Sequence, residues 1–171
     1  MATGEIGEVI ARSPHVSDCY HDAPQEMLEN KIVDGDTRWH RLGDTGFLDD
    51  QGRLWVCGRR SHRVTTSERT WFPLCCEPVF NSHPDVVRSA LIGPTLTDGA
   101  SSAAVTAAIC VELRPEARHR GTHVVRELRE LAEAHDATRG LEQFFVIDHL
   151  RVDRRHNAKI DRPALARRFS A

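Results

Sequence analysis

The chain has no long apolar run and no secretory leader pattern. A membrane-spanning helix needs about 18 or more consecutive apolar residues, whereas the longest candidate, residues 103–111, stops well short and contains Thr106. At the N-terminus, Glu5 and Glu8 interrupt the sequence and no basic stretch precedes an apolar one, unlike a signal peptide. The sequence therefore predicts no membrane span and a cytoplasmic location.

The chain also lacks an excess of charge of either sign. Lys and Arg number 23 against 25 Asp and Glu, a formal net charge of −2, so neither nucleic acid nor an anionic membrane is expected as a partner. The five cysteines are an odd number without a disulfide-scaffold spacing and favour reduced thiols. Although there are ten histidines, no CxxC or HExxH spacing occurs, and no metal site is predicted.

The overall composition is typical of a globular protein. The 171 residues are 40% hydrophobic and 28% charged, which allows one domain, or a small domain with part of another. Residues 46–58 predict a β-hairpin, because two apolar arms flank Asp49-Asp50-Gln51-Gly52, a typical turn sequence. The sequence becomes basic directly after Gly58. We therefore predict a β-rich part over residues 1–60 and a second unit over 61–171.

Periodicity predicts that the second unit mixes helices and strands, an α+β fold class. Helices are expected over 75–82, 124–135 and 163–169, strands over 86–92, 103–113 and 144–147, and a loop over 94–102. In the first part, we expect a strand within 4–12 and a short helix over 24–30.

Three polar residues stand in local settings that could carry chemistry. Asp44 lies in a glycine-flanked turn, Arg59 follows the second hairpin arm, and Lys159 lies in a polar loop before a proline-initiated helix. A carboxylate can accept hydrogen bonds from a vicinal diol, a guanidinium can bind hydroxyl or phosphate oxygens, and a loop lysine can stabilise a forming oxyanion. Taken singly, none of the three establishes a function. Asp44 is also consistent with an Asx-turn, Arg59 with a solvated surface arginine, and Lys159 with a surface lysine.

Taken in order, these residues form a pattern that resembles adenylate-forming enzymes, the superfamily of acyl-CoA synthetases, luciferase and adenylation domains. The first matching segment is His40-Arg-Leu-Gly-Asp-Thr-Gly-Phe-Leu-Asp-Asp-Gln-Gly-Arg-Leu-Trp-Val-Cys-Gly-Arg59. Residues 73–84 resemble the family's first C-terminal helix, and Asn157-Ala-Lys-Ile-Asp-Arg162 resembles its Gly-Lys-x-x-Arg lysine motif. The resemblance covers nearly the whole chain.

The resemblance implies a role for each of these residues. Asp44 matches the aspartate that holds the ATP ribose hydroxyls, and Arg59 the arginine that helps to bind the nucleotide. Lys159 matches the lysine that contacts carboxylate and α-phosphate oxygens during adenylation, and Ser61 falls at the family's hinge. Residues 1–60 would then end a large AMP-binding domain, and 61–171 would form the small mobile C-terminal domain. The implied cofactors are ATP or AMP with Mg²⁺, whose ligands are expected in a preceding N-terminal portion.

Within the superfamily, residues 57–64 and 155–160 resemble the olefin-pathway β-lactone synthetases, which close a β-lactone from a β-hydroxy acid. CoA ligases usually carry a glycine about nine residues after the Arg59 position, beside the entering thiol, where this chain has Glu68. A charged side chain there would narrow and repel an anionic CoA path, which favours an internal nucleophile. The expected substrate is accordingly a small carboxylic acid, of the β-hydroxy fatty acid type.

The sequence lacks the superfamily's phosphate loop, since residues 99–102 carry no lysine, and it lacks the acyl-binding portion. We therefore expect a C-terminal fragment with little adenylation activity alone. Two alternatives stay open: a fragment of a fatty acyl or aryl CoA ligase, and a non-catalytic module that docks onto a separate large domain. Docking would need an exposed apolar patch around Trp39, Phe47 or Trp55.

Overall fold

The computed structural model describes residues 2–17, 19–97, 103–152 and 159–170. The contacts divide the chain into two compact units, Met1–Ser61 and His62–Ala171. Both units contain helices and strands, so the predicted α+β class is confirmed. Within the described residues, no helix is long and apolar enough to cross a membrane.

Unit 1 is an antiparallel sheet with one short helix. Its elements are β1 (Gly7–Ala11), α1 (Pro24–Asn30), β2 (Lys31–Asp34), β3 (Thr37–Leu48) and β4 (Leu54–Arg59). Strand β3 is the longest and pairs with β1, β2 and β4. The helix predicted over residues 24–30 is confirmed, with Pro24 in its first turn, where a missing backbone N–H is tolerated.

The predicted hairpin is confirmed as β3 and β4, and its turn is closed by the Asp49 carboxylate. This side chain accepts hydrogen bonds from the backbone N–H groups of Gln51 (3.0 Å) and Arg53 (2.9 Å) and from the Trp55 indole (2.8 Å). These bonds, the Trp55 bond foremost, lower the pKa of Asp49 to about 2. Gly52 adopts a φ of 74°, which an L-residue rarely takes, so the reversal has a local stereochemical cause.

Unit 2 is built on a three-stranded sheet in the order β11-β10-β7. Its elements are β5 (Val64–Thr65), β6 (Thr70–Trp71), α2 (Pro73–Asn81), β7 (Val86–Ile92), β8 (Thr95–Thr97), β9 (Ala103–Val105), β10 (Ala108–Leu113), α3 (Gly121–Ala134), β11 (Gln143–Ile147) and α4 (Arg162–Phe169). Strand β10 runs parallel to β11 and antiparallel to β7.

The core of unit 2 lies on both faces of this sheet. All six residues of β10 are buried, and successive side chains of a strand point to opposite faces. Ile109 belongs to a cluster with Phe80 of α2 and Leu128 of α3, whereas Cys110 belongs to a second cluster with Leu165 of α4. Helices α2 and α3 therefore cover one face and α4 the other.

One element departs from the sequence prediction. Residues 103–113 do not form a single strand, because the chain leaves the sheet at Thr106, whose N–H donates to the Pro94 carbonyl at 3.0 Å. The first part, β9, instead pairs with β8, which lies in the segment predicted as a loop. The rest of that loop, residues 98–102, lies outside the described residues.

Candidate nucleotide site and lysine segment

Asp44 lies within strand β3 and not in the predicted turn, because the strand continues through both flanking glycines to Leu48. The β3–β4 hairpin places Asp44 directly opposite Arg59. The two residues are cross-strand partners, and the Arg59 Nε lies 3.3 Å from the Asp44 Oδ1. Arg59 also donates from Nη1 to the Leu42 carbonyl at 2.8 Å, which fixes the plane of its guanidinium. Both side chains are partly exposed, at 31% for Asp44 and 48% for Arg59, so a ligand can reach them.

A β-bulge in β4 is what puts the two side chains on one face. Near the turn, Gly46 pairs with Val56, but Thr45 pairs with Gly58. Cys57 is therefore the extra residue of the bulge on β4. In the unshifted register, Arg59 would lie opposite Gly43 and point to the other face of the sheet from Asp44. The bulge removes that mismatch, because directly opposed residues share a face.

Glycines make this bulge possible. Gly58 adopts a φ of 119°, which is open to glycine and strained for other residues. A Cβ on Gly46 would come within 2.6 Å of the Trp55 carbonyl oxygen, so the two strands approach too closely there for any side chain. The buried Thr45 hydroxyl donates to the Gly58 carbonyl at 2.9 Å. The backbone around the Asp44–Arg59 pair is thus tightly specified.

The end of unit 1 is held in place up to the residue before the predicted hinge. Arg60 Nε lies 3.6 Å from the Glu8 carboxylate on β1, and the same carboxylate contacts Arg41 at 2.5 Å. Ser61 follows as an exposed residue of a short 3-10 helix, Arg60–His62. It is the last residue of unit 1. Because the Ser61 side chain is exposed, its own packing does not restrict rotation of the backbone at this residue.

Lys159 belongs to unit 2 and is exposed. The next residue, Ile160, forms an antiparallel bridge with Val152, and Asp161 caps α4 by accepting from the Ala164 N–H at 3.0 Å. The backbone on the C-terminal side of the lysine is therefore ordered. Residues 153–158, which carry part of the lysine motif, lie outside the described residues.

Glu68 lies in the turn between β5 and β6. Its N–H donates to the Thr66 hydroxyl at 3.3 Å, and its side chain is exposed. Glu68 also lines a cavity of about 320 Å³ together with Trp71, Thr106 and Glu142. The two carboxylates oppose an anionic ligand, and Arg69, whose guanidinium stacks 4.0 Å from the Trp71 ring, is a neighbouring positive charge.

The structure also brings together a group that sequence reasoning missed. His83, Asp85 and Glu127 place potential metal-ligand atoms within 4.8 Å of one another. Each member already has a partner, since His83 Nε2 lies 3.3 Å from Glu127 within the group and Asp85 lies 2.5 Å from Arg120 outside it. No short motif signals it, because 44 positions separate His83 from Glu127.

Comparison with known proteins gives olefin beta-lactone synthetases and CoA ligases as relatives. No protein-family model matches the chain. The chain is 42% identical over 97% of its length to the olefin beta-lactone synthetase of Stenotrophomonas maltophilia, and 40% identical over 97% to that of Xanthomonas campestris. It spans only 30% of the length of either relative.

Similarity also extends to a CoA ligase and to solved structures. The chain is 31% identical over 53% of its length to the 2-succinylbenzoate–CoA ligase of Arabidopsis thaliana, covering 17% of that protein. The fold matches o-succinylbenzoate CoA synthetase from Bacillus subtilis, solved with an acyl-adenylate intermediate, with a TM-score of 0.75 and 24% identity. That match covers 96% of this chain and 31% of the other.

Proposed function

The chain is homologous, over almost its whole length, to part of the adenylate-forming synthetases, and from this we propose that it supplies two functional elements of such an enzyme. These are the ribose-binding pair, Asp44 and Arg59, and the adenylating lysine, Lys159. The proposed reaction joins a carboxylate oxygen to the α-phosphorus of ATP, with release of pyrophosphate. The observation that carries the proposal is the bulge-aligned pair of Asp44 and Arg59, 3.3 Å apart and open to ligand.

The chemistry of the pair suits a nucleotide. The Asp44 carboxylate can accept hydrogen bonds from both hydroxyls of a ribose, and the neighbouring Arg59 guanidinium can bind oxygens of the ligand. Lys159, exposed on unit 2, would place its ammonium on the carboxylate and phosphate oxygens as charge develops in the transition state. We assign the Mg²⁺ ligands and the phosphate loop to the portion of the relatives that this chain does not span.

We further propose that unit 1 is the terminal subdomain of the large AMP-binding domain, and that unit 2 is the small domain that rotates about Ser61. The division of contacts between Ser61 and His62 supports this assignment. So does the Arg60–Glu8 ion pair, which ties the residue before Ser61 to β1. The five cysteines, none of which forms a disulfide within the described residues, support the expected cytoplasmic location, where thiols stay reduced.

The finer proposal is that the acyl adenylate of a β-hydroxy fatty acid closes to a β-lactone. The substrate's own hydroxyl oxygen attacks the acyl carbonyl, the hydroxyl proton is lost, and AMP departs. Glu68 supports this proposal, because its exposed carboxylate lines a cavity that already carries Glu142. An anionic CoA would be repelled there.

A second candidate is a CoA ligase, and the similarity to 2-succinylbenzoate–CoA ligase favours it. The two candidates differ in the nucleophile that follows adenylation. Replacing Glu68 by glycine in a full-length enzyme that carries this chain should permit thioester formation with CoA if the carboxylate is the barrier. If the unmodified enzyme already forms a thioester, the β-lactone proposal is wrong.

A third candidate is a docking module without catalysis of its own, and an exposed apolar surface on unit 1 favours it. Three apolar hairpin residues, Leu48, Leu54 and Val56, are about half exposed on one face, and Trp55 is about half exposed on the other. Phe47 stacks on Trp55 with a centroid distance of 6.4 Å. An apolar surface of this kind is typical of an interface, and the proposed partner is the larger portion of an adenylating enzyme.

The nucleotide site is tested by calorimetric titration of the chain with AMP. We expect binding in the millimolar range, weakened about tenfold or more by Asp44→Ala, because hydrogen bonds to a charged group contribute about 1.5 to 3 kcal/mol. Asp50→Ala, an exposed aspartate of the same hairpin, is the matched control and should bind like the parent. Absence of binding at millimolar AMP, or equal loss in both variants, would remove the proposed ribose site.

The lysine is tested in a chimaera, in which residues 1–171 replace the matching part of the Stenotrophomonas synthetase. The rate of ATP–pyrophosphate exchange reports adenylation alone. Lys159→Ala should lower this rate about 100-fold or more, because one preorganised charge contributes that much to a group-transfer step. An unchanged rate would exclude Lys159 as the adenylating residue.

A further inference from the structure

The backbone that follows Lys159 is anchored by a buried ion pair. Arg162, three residues later, donates from Nη1 to Glu77 Oε1 at 2.5 Å and from Nη2 to Glu77 Oε2 at 3.1 Å. The side chains are only 14% and 10% exposed. A two-pronged contact of this kind fixes distance and orientation together, so α4 begins at a defined place against α2.

The same pair also satisfies the open edge of the sheet. Strand β7 is an outer strand, and the Leu91 backbone groups face away from β10. The Leu91 N–H donates to Glu77 Oε1 at 2.8 Å, and the Leu91 carbonyl accepts from Arg162 Nη1 at 3.0 Å. Four groups from three elements therefore form one closed network. Buried networks of this kind are rigid when every member is satisfied.

A second buried carboxylate binds the part of the chain that precedes Lys159. Glu112 of β10 accepts from the Leu150 N–H at 2.9 Å and contacts His149 Nδ1 at 3.1 Å and Arg88 Nε at 3.1 Å. Leu150 precedes Val152, which bridges to Ile160. The chain before and after Lys159 is thus held against the sheet by two carboxylates from other elements, Glu112 and Glu77.

We propose that Glu77, acting through Arg162, is the positioning residue for Lys159. This inference rests on the proposed adenylating function of that lysine. Lys159 is exposed, so its side chain lacks the packing that would hold it, and its placement depends on the backbone at 160–162. A displacement of about 1 Å at a reacting group can lower a rate by about 100-fold. Loss of the Glu77–Arg162 pair would therefore slow adenylation although neither residue contacts the substrate.

The structural role of the Glu77–Arg162 ion pair is tested by hydrogen exchange on the 171-residue chain, which requires no measurement of enzyme activity. Glu77→Gln should speed exchange about tenfold or more in a peptide over residues 159–166. Asp85→Asn is the matched control, because Asp85 also forms a 2.5 Å ion pair in unit 2, with Arg120, but away from the lysine segment. Exchange at 159–166 that is unchanged in Glu77→Gln, or raised equally in the control, would overturn the proposal.

The catalytic consequence is tested in the chimaera by comparing two backgrounds. With Lys159 present, Glu77→Gln should lower the adenylation kcat about 30- to 100-fold while the KM for ATP changes less than about threefold. In the Lys159→Ala background, the same change should cost less than about threefold, since the group being positioned is gone. An equal loss in both backgrounds would show a merely structural role and refute the positioning role.

A second variant guards against failure of the first to fold. Arg162→Lys keeps the positive charge but loses the two-pronged contact, and it should lower kcat about tenfold with the same dependence on Lys159. An inactive parent chimaera, or an unaffected Lys159→Ala, would instead overturn the proposed function, and the positioning role with it. The exchange result would still show whether the anchor exists.

Discussion

Replacing Gly46 by alanine should break the hairpin that carries the Asp44–Arg59 pair. A Cβ at this position would lie 2.6 Å from the Trp55 carbonyl oxygen and 3.2 Å from a methyl group of Leu54. The nearer contact is with backbone, which cannot rotate away as a side chain can. Strands β3 and β4 must therefore separate at the position next to the bulge.

The magnitude follows from the depth of that clash. Relief to even a tight contact of 3.0 Å requires a movement of 0.4 Å, and an ordinary contact requires about twice that. Forcing extra atoms into a packed site costs about 1 to 3 kcal/mol, and the backbone partner places Gly46→Ala at the upper end. Because small units have only about 0.05 to 0.15 kcal/mol of stability per residue, unit 1 should lose a large share of its stability.

Urea unfolding followed by tryptophan fluorescence measures this loss. A Trp71→Phe background leaves only Trp39 and Trp55, so the signal reports unit 1. With a slope of about 1 to 2 kcal/mol per molar urea, the midpoint for Gly46→Ala should fall by about 1 to 2 M. Gly52→Ala, in open space at a φ of 74°, is the control and carries only the left-handed strain of about 1 to 2 kcal/mol. A Gly46→Ala midpoint equal to the parent's would refute the reasoning.

Three further predictions concern other buried or clamped groups. The pKa of Asp49 is lowered from 3.8 to about 2, chiefly by the Trp55 indole. The ionised carboxylate should therefore stabilise unit 1 above pH 4, and this stabilisation should be lost as the pH falls towards 2. In Asp49→Asn, the stability of unit 1 measured against pH should lack this loss. Phe80→Ala should destabilise unit 2 by about 3 to 5 kcal/mol in urea unfolding followed by circular dichroism, because Phe80 is fully buried. Burial raises the pKa of the Cys110 thiol to about 12, so a thiol reagent at pH 8 should label the exposed Cys19 and leave Cys110 unlabelled until the chain unfolds.

Local elements were predictable where a local signal determines them. The strand Val86–Ile92 and the helix Pro24–Asn30 have the bounds that periodicity and proline placement predict. The hairpin turn followed from its aspartates and Gly52, because these residues close the turn with their own side chains and backbone. In each case the determining contacts lie within a few residues of one another.

Features that depend on distant pairing were not predictable in the same way. The break at Thr106 is set by the Pro94 carbonyl and by the pairing of β9 with β8, and the apolar run through this segment gives no sign of it. The Glu77–Arg162 pair joins residues 85 positions apart. In the sequence each residue is typical of a charged side chain on a helix surface, and only the fold shows that Glu77 is buried and Arg162 mostly covered.

The Asp44–Arg59 pair lies between these two cases. The sequence places both residues on one hairpin, and counting outward from the turn without interruption puts them on opposite faces. The fold corrects the count with one extra residue on β4, Cys57, and with Gly58 in a conformation that other residues rarely adopt. A glycine is a weak signal for a bulge by itself. The resemblance to a family motif therefore singled out Asp44 and Arg59 together, although the hairpin pattern alone would have placed them on opposite faces of the sheet.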